Sequence, residues 1–212
     1  MVKVKKIISG VLAVNCYLIY DSETKKALVA DPGEDGGKII SEIEKENLLP
    51  EMLVNTHGHF DHILSDEQIR NKYNIPLAVH KGDAAMITDP SQNGSYAFFE
   101  REFSIKEPDI TLSDNQTVEL SFTKFKVMHT PGHTEGGICL LFDGFALTGD
   151  TLFAGTIGRT DFPNSDHKKM LDSLEKLKKL NPKTVVYPGH GSITTIANEL
   201  RHNPFLKSKE CG

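Results

Sequence analysis

The sequence predicts an α/β fold built from two similar αβ units that pack sheet against sheet. Apolar runs of strand length alternate with amphipathic stretches of helical length, and each half of the 212-residue chain shows strands followed by a helix and a further strand. A chain of this length is expected to form one domain with a sizeable core, which we place over residues 1–212. Hydrophobic residues at 38% and charged residues at 25% agree with a soluble globular protein.

The first half begins with strands that are separated by turn-forming residues. Apolar runs predict strands at residues 2–8, 15–20, 27–31, 52–55 and 77–80. A helix is predicted over 36–47, where the residues at helical spacing are Ile39, Ile40, Ile43 and Leu48. Two further helices are expected at 63–73 and 82–88.

Residues 89–108 show no regular period, although they contain several aromatic side chains. A long irregular segment inside a compact domain is often a lid or a binding loop. The alternative is a helix that packs its aromatic residues on the core. The sequence leaves both interpretations open.

The second half of the chain also contains several predicted strands. Strands are predicted at 117–120, 124–129, 137–142, 145–148 and 184–187, with a loop over 151–165. A lysine-rich amphipathic helix with a solvated polar face is predicted over 168–180, where the apolar positions are Met170, Leu171, Leu174, Leu177 and Leu180. A final helix is expected at 193–201.

One short segment, Thr56-His57-Gly58-His59-Phe60-Asp61-His62, carries more chemical information than any other. It holds three histidines and one aspartate within six residues, and it starts just after the apolar run of 52–54. Imidazole and carboxylate groups are the ligands expected for zinc and similar divalent metals. The spacing is too tight for a zinc site on a helix, so a loop at the end of a strand is expected to aim these side chains at one point.

Three further candidate ligands also lie at the ends of predicted strands. His133, Asp150 and His190 each follow an apolar, strand-like run and lie beside glycine. With the first segment they give seven candidate ligands, which is more than one ion needs and suits two ions that share a carboxylate. Two such ions can lower the pKa of a shared water and polarise a substrate carbonyl. The sequence shows no nucleophile-elbow pattern for serine or cysteine chemistry.

Charge and cysteine content narrow the expected environment. A net charge of -5 argues against a nucleic-acid surface, and no apolar run has the length of a membrane span or the form of a secretory signal. The three cysteines are widely spaced and odd in number, which favours a reducing, cytoplasmic setting over a disulfide framework. Cys16 and Cys139 are expected in the core, whereas Cys211 is expected to be exposed.

The ligand segments, together with Asp31-Pro32-Gly33, resemble the metallo-β-lactamase superfamily in both content and order. The resemblance covers nearly the whole chain and implies a four-layer αβ/βα sandwich. It also implies two divalent metal ions at one edge of the two sheets, with zinc favoured and iron or manganese as alternatives. Carried over residue by residue, the resemblance implies that the first metal is bound by His57, His59 and His133. It implies that the second metal is bound by Asp61, His62 and His190, and that Asp150 bridges the two metals.

Within that superfamily the motifs resemble those of the glyoxalase II-like hydrolases. The similar segments are Thr130-Pro131-Gly132-His133-Thr134, Thr148-Gly149-Asp150-Thr151-Leu152-Phe153 and Arg201-His202-Asn203-Pro204-Phe205. The resemblance implies a thioesterase that acts on S-lactoylglutathione or a related small thioester through a metal-bound hydroxide, with Asp61 and Asp150 as catalytic carboxylates. The C-terminal helical domain of the eukaryotic enzymes has no counterpart in this sequence, so a short, single-domain hydrolase is expected.

Two other functional interpretations stay open. Gly158-Arg159-Thr160-Asp161-Phe162 also resembles the persulfide dioxygenases, which use one iron held by two histidines and an aspartate. The other interpretation is a non-catalytic metal-binding protein, although degenerate members usually lose ligands and all seven are present here.

Two more residues have candidate roles outside the ligand set. Arg159 either binds a substrate carboxylate or forms a structural ion pair with Asp161. Asp31 either hydrogen-bonds a ligand histidine and fixes its tautomer, or serves as a turn and capping residue. The expected partner is a small-molecule thioester, with no nucleic acid and no membrane, and the protein is expected to be a monomer or a homodimer.

Overall fold

Two six-stranded sheets form the centre of the protein in the computed structural model, which describes residues 1–99 and 102–207. The expectation for Cys211 falls outside these residues. The first sheet contains, in chain order, β1 (Val2–Ser9), β2 (Val14–Asp21), β3 (Lys26–Ala30), β4 (Leu49–Val54), β5 (Leu77–His80) and β6 (Ile110–Leu112). The pairs from β1 to β3 are antiparallel, and those from β3 to β6 are parallel.

The second sheet has the strand order β14-β13-β10-β9-β8-β7. Its members are β7 (Thr117–Glu119), β8 (Lys124–His129), β9 (Ile138–Leu141), β10 (Phe145–Gly149), β13 (Val185–Pro188) and β14 (Thr194–Thr195). A separate hairpin joins β11 (Leu152–Phe153) to β12 (Thr156–Ile157). Because β10 and β13 are parallel, their carboxyl ends lie at the same edge of the sheet.

The helices are α1 (Gly36–Lys45), α2 (Phe60–Ile63), α3 (Asp66–Tyr73), α4 (Ser95–Phe99), α5 (His167–Leu177) and α6 (Ile196–His202). The start of α5 shows why the sequence forms it: the Asp166 carboxylate accepts a hydrogen bond from the backbone N–H of Lys169 at 3.0 Å. Its buried side, which carries Met170, Leu174 and Leu177, packs on the second sheet. Within residues 1–99 and 102–207, no helix is both long and apolar enough to cross a membrane.

Alternating side chains of the strands bury both faces of each sheet. In β2, Cys16 and Leu18 pack in the core shared with α1 and α3, whereas Tyr17 and Ile19 pack between the two sheets. In β9, Leu140 faces the other sheet and Cys139 faces the core under α5 and α6. Three cores therefore separate four layers, which confirms the predicted αβ/βα sandwich and the buried positions expected for Cys16 and Cys139.

Two helix predictions in the first half are wrong in detail. The helix expected over 63–73 is divided into α2 and α3, because the backbone N–H of Ser65 donates to the carbonyl of Pro32 rather than within one continuous helix. The segment 82–88 forms turns and a 3-10 helix at Met86–Thr88 instead of an α-helix. Its Asp83 side chain accepts hydrogen bonds from other loops, and Gly82 lies against Gly136 too closely for a side chain.

Three further differences concern short elements that carry little sequence signal. The predicted loop over 151–165 contains the β11–β12 hairpin, the start of the helix predicted at 193–201 is β14, and β6 was not predicted. Residues 89–108 contain the short helix α4, whose Tyr96 side chain is exposed, and residues 91–94 before this helix line a cavity. Packing of the aromatic residues of α4 on the core is not shown. A role of this segment as a lid stays a prediction.

Candidate metal centre

All seven candidate ligands meet at one edge of the two sheets. The segment after β4 carries His57, His59, Asp61 and His62, the β8–β9 loop carries His133, and Asp150 and His190 follow the parallel strands β10 and β13. Residues far apart in sequence come together here because the strands that precede them end at this common edge.

One group of nitrogen atoms belongs to His57, His59 and His133. One nitrogen from each lies within 4.8 Å of the others, so the three side chains could hold a metal ion. Nδ1 of His59 is 2.9 Å from Nε2 of His133. Nε2 of His57 is buried without a hydrogen-bond partner among the described residues.

A second group is formed by Asp61, His62 and His190. Nε2 of His190 is 3.4 Å from Oδ2 of Asp61 and 3.3 Å from Nε2 of His62. Their potential ligand atoms also lie within 4.8 Å of one another, so this group could hold a second ion.

Asp150 lies between the two groups. Its Oδ2 is 3.4 Å from Nε2 of His133 and 3.6 Å from Nε2 of His190, while its Oδ1 is 3.5 Å from Nε2 of His62. Oδ1 is buried and has no hydrogen-bond partner among the described residues. One carboxylate is therefore within reach of both groups.

Backbone carbonyls fix the tautomers of two of these histidines. Nδ1 of His133 is 2.8 Å from the carbonyl oxygen of Arg159, and Nδ1 of His190 is 3.0 Å from that of Leu12. Because a carbonyl can only accept a hydrogen bond, each Nδ1 carries a proton, and in the neutral ring each Nε2 presents a lone pair to the centre.

Asp31 lies directly behind the centre at the end of β3, with a positive φ of 49° that aspartate tolerates. Its carboxylate accepts hydrogen bonds from the backbone N–H and the hydroxyl of Thr56, at 2.7 Å and 2.8 Å. The Thr56 oxygen is in turn 3.2 Å from Nδ1 of His57. Oδ2 of Asp31 is also 3.3 Å from Nδ1 of His62. This distance is short enough for an ion pair, but the two groups are not aligned for a hydrogen bond.

The carboxylates around His62 favour a positive charge at that part of the centre. Burial alone lowers the pKa of His62, but neighbouring carboxylates, Asp61 and Asp150 foremost, raise it to about 10. By contrast, burial and the nearby His133 lower the pKa of His59 to about 3. A proton on His62 thus balances negative charge that a divalent ion would also balance.

A cavity of about 360 Å³ opens onto the centre. Its walls are largely apolar and include Leu12, Phe60, Phe153, Ile157 and Phe162, and its polar floor includes Asp61, Asp150 and His190. Pockets of this kind, apolar with a few convergent polar groups, are typical of sites for small molecules.

Arg159 also lines this cavity, and its side chain is paired rather than free. Its Nε and Nη2 atoms donate to the two carboxylate oxygens of Asp161 at 2.9 Å and 2.8 Å, and its guanidinium lies 4.4 Å from the centre of the Phe162 ring. The ion pair that the sequence left open is therefore present.

Two glycines allow the ligand loops to approach one another. A Cβ on Gly158 would overlap the backbone carbonyl oxygen of Asp150 and lie 3.3 Å from Cγ of His133. A Cβ on Gly189 would overlap Oδ1 of Asp150 and lie 2.8 Å from Cε1 of His62. The absence of side chains at these positions is thus a condition for the observed geometry.

The structure adds residues that the sequence analysis did not connect with the site. Buried Asn203, part of the C-terminal motif, donates a hydrogen bond to the carbonyl of Thr156 at 3.0 Å, and buried Glu199 accepts one from the backbone N–H of Gly155 at 2.8 Å. Both hold the β11–β12 hairpin, which forms one wall of the cavity. Asp83 joins two of the ligand loops. No local pattern marks these contacts in the sequence.

Comparisons with known proteins agree with this arrangement. The hydroxyacylglutathione hydrolase GloC of Haemophilus influenzae is 36% identical over 205 residues, which cover 92% of this chain and 93% of that protein. The crystal structure of the BLEG-1 B3 metallo-beta-lactamase superposes with a TM-score of 0.94 at 35% identity, covering 97% of this chain and 100% of that one. TTHA1623 in a di-iron-bound form gives a TM-score of 0.82 at 30% identity, covering 95% and 100%.

The family model of the metallo-beta-lactamase superfamily matches residues 9–190, a range that contains all seven candidate ligands. With the sandwich fold and the ligand order described above, this chain belongs to the metallo-β-lactamase superfamily.

Proposed function

We propose that this protein is a metal-dependent thioester hydrolase of the glyoxalase II type, acting on S-lactoylglutathione or a related small thioester. The observation that carries the proposal is the pair of potential ligand groups with Asp150 between them, which lie beside a cavity of small-molecule size. The similarity to GloC, a hydroxyacylglutathione hydrolase, supports the choice of substrate.

The side chains present fit two divalent cations. Within residues 1–99 and 102–207, Nε2 of His57 and Oδ1 of Asp150 are buried without hydrogen-bond partners, and such atoms are costly unless an ion or ligand compensates them. The first ion would be held by His57, His59 and His133, the second by Asp61, His62 and His190, with Asp150 shared. Histidine and carboxylate ligands accept zinc, iron and manganese, and the di-iron form of TTHA1623 makes iron a real alternative to zinc.

The residues around the centre have separate proposed roles in the reaction. Bound divalent ions would supply an activated water and polarise the thioester carbonyl. Asp61 and Asp150, whose carboxylates face the cavity, can accept hydrogen bonds from the attacking water and orient it. Asp31 would hold the ring of His62 and, through Thr56, that of His57 in the required orientation. The apolar cavity walls, including Phe153 and Phe162, offer a surface against which the apolar part of a substrate can pack.

The first test is metal content. Protein purified without chelator should contain about two equivalents of metal per chain, since the ligand set exceeds the needs of one ion. Treatment with a chelator should abolish thioester hydrolysis, and added zinc, iron or manganese should restore it. Elemental analysis alongside activity measures both. A stable value of one equivalent, unchanged by added metal, would instead favour the single-iron oxygenase.

The second test is the reaction itself. Hydrolysis of S-lactoylglutathione and of smaller thioesters should be measured beside hydrolysis of a chromogenic β-lactam and oxygen uptake with glutathione persulfide. We expect thioester cleavage to be the fastest. Oxygen consumption without thioester cleavage would replace the proposal by a persulfide dioxygenase. Cleavage of the β-lactam alone would assign the activity named for BLEG-1. No turnover by metal-loaded protein would indicate a metal-binding protein without catalysis.

Arg159 is the proposed anchor for a substrate carboxylate. Because its guanidinium lines the cavity but is already paired with Asp161, Arg159→Ala should raise KM more than it lowers kcat, by less than about tenfold. Steady-state hydrolysis of S-lactoylglutathione measures the effect. Lys124→Ala is the control, because Lys124 is an exposed cation at the start of β8 and is not among the residues that line the cavity. Equal kinetics of the Arg159 variant and wild type would remove this role without affecting the hydrolase assignment.

A further inference from the structure

We infer that Asp83 is a positioning residue for the first metal site, because it ties together the two loops that carry His57, His59 and His133. The inference rests on the metal assignment proposed above and adds a residue to which that assignment gives no role.

Three donors from two loops converge on the Asp83 carboxylate. Oδ2 accepts hydrogen bonds from the backbone N–H of Gly58 at 2.9 Å and from the hydroxyl of Thr134 at 2.7 Å. Oδ1 accepts one from the backbone N–H of Gly136 at 2.5 Å. Gly58 lies between two of the candidate ligands, and Thr134 directly follows the third. One side chain therefore fixes the backbone on both sides of the first metal site.

The carboxylate is fully buried, and its own backbone is fixed as well. The N–H of Asp83 donates to the carbonyl of His80 at 2.9 Å, so the side chain projects from the end of β5. Buried Met86, from the same segment, packs beneath Gly58, so that a Cβ on Gly58 would lie only 3.0 Å from its Cγ and Sδ atoms. Residues 82–88 thus form a support under the ligand loop, which explains why they do not continue as an α-helix.

Charge explains why a carboxylate suits this position. Burial raises the pKa of Asp83, and the hydrogen bonds that it accepts only partly offset this effect. A buried acid of this kind is costly, and packing alone would be served by a residue without charge. An asparagine of the same size would offer one acceptor oxygen, and its NH₂ group would face N–H or O–H donors. The three converging donors therefore require two acceptor oxygens.

Substitution of Asp83 should weaken metal binding at only one of the two proposed sites. The three donors lie beside the histidines assigned to the first ion, whereas His190 is oriented by the carbonyl of Leu12 and His62 lies against Asp31. Loss of Asp83 should consequently loosen the first site and leave the second intact.

Cobalt(II) titration of metal-free protein tests this selectivity, followed by calorimetry and by the visible absorption of the bound ion. His190→Ala serves as the background, since it disables the second site and leaves the first to be measured alone. Adding Asp83→Asn to this background should lower cobalt affinity about 10-fold, the lower end of the cost of losing a group bonded directly to a metal ligand, because Asp83 bonds to residues beside the ligands. In a wild-type background, Asp83→Asn should weaken one of two binding events and leave the other unchanged.

Asp114→Asn is the matched control, because Asp114 also accepts a backbone hydrogen bond, from His129 at 2.8 Å, but is exposed in the loop between β6 and β7. It should leave both binding events unchanged. If Asp83→Asn does not fold, Thr134→Val decides instead: it removes one of three donors and should cause a smaller but measurable loss at the first site.

Each outcome separates the inference from the proposed function. Two ions bound by wild type and an unchanged first site in the Asp83 variant would overturn the inference alone. Equal weakening of both sites would do the same, since it would indicate a general structural role. A wild-type protein that binds no cobalt at all would overturn the proposed function, and the positioning role with it.

Discussion

Asp150→Ala is expected to lose both bound metals and nearly all thioester hydrolysis. The carboxylate lies within 3.4 Å to 3.6 Å of histidine nitrogens from both ligand groups, so its removal takes a ligand from each. We expect a loss of kcat/KM well beyond the roughly 10–100-fold that removal of an outer partner causes. Elemental analysis and steady-state kinetics on the same preparation measure the two effects together.

Two comparison variants sharpen this prediction. His190→Ala should mainly weaken the second metal, because His190 belongs to one group only. Asp143→Ala removes an exposed carboxylate in the turn between β9 and β10 and should change neither metal content nor rate. Full metal content and full activity in Asp150→Ala would show that the ligand assignment is wrong.

Gly158→Ala should damage the site almost as severely, although it removes no functional group. A Cβ at this buried position would overlap the backbone carbonyl of Asp150 and crowd the ring of His133. Because the obstacle is backbone rather than the end of a flexible side chain, the loop after β10 must move, and a displacement of about 1 Å can cost about 100-fold in rate. Activity and metal content should both fall while the circular dichroism of the fold is retained.

The control for this substitution is Gly37→Ala. Gly37 is exposed in α1, and a Cβ there would meet no atom of the described residues within 4 Å. Alanine in a helix is more favourable than glycine by about 1 kcal/mol, so this variant should keep its activity and unfold at the same or a slightly higher temperature. Wild-type activity in Gly158→Ala would mean that the contact with Asp150 does not constrain the site.

The sequence by itself predicted the layers of the fold. The apolar runs of β2 and β5 correspond to strands that the structure contains at nearly the same residues, because a strand buried on both faces carries apolar side chains along its length. The pattern of β8 is different: its exposed lysines alternate with buried Phe125 and Val127, as in a strand that is buried on one face. The same holds for α5, whose apolar residues recur at helical spacing. These signals are local, and so they can be recognised without knowledge of the fold.

The candidate ligands were also predictable, for a chemical reason. Histidine and aspartate next to glycine at the ends of apolar runs have few structural purposes, and their number indicated two ions. The order of these motifs along the chain resembles that of the metallo-β-lactamase superfamily. This resemblance predicted which ligands belong to each metal. Their convergence at one edge followed from the end positions of the strands.

Only the tertiary structure decided which residues support that site. Asp83 contacts Gly136 across 53 residues, and Asn203 contacts Thr156 across 47, distances at which no periodic pattern connects two positions. The break between α2 and α3 likewise depends on a tertiary contact, the hydrogen bond from the N–H of Ser65 to the carbonyl of Pro32. The sequence left two roles open for Arg159, and the structure shows its ion pair with Asp161. Local sequence determines which side chains are available and which segments form strands; the packing of the sheets determines which of those side chains meet.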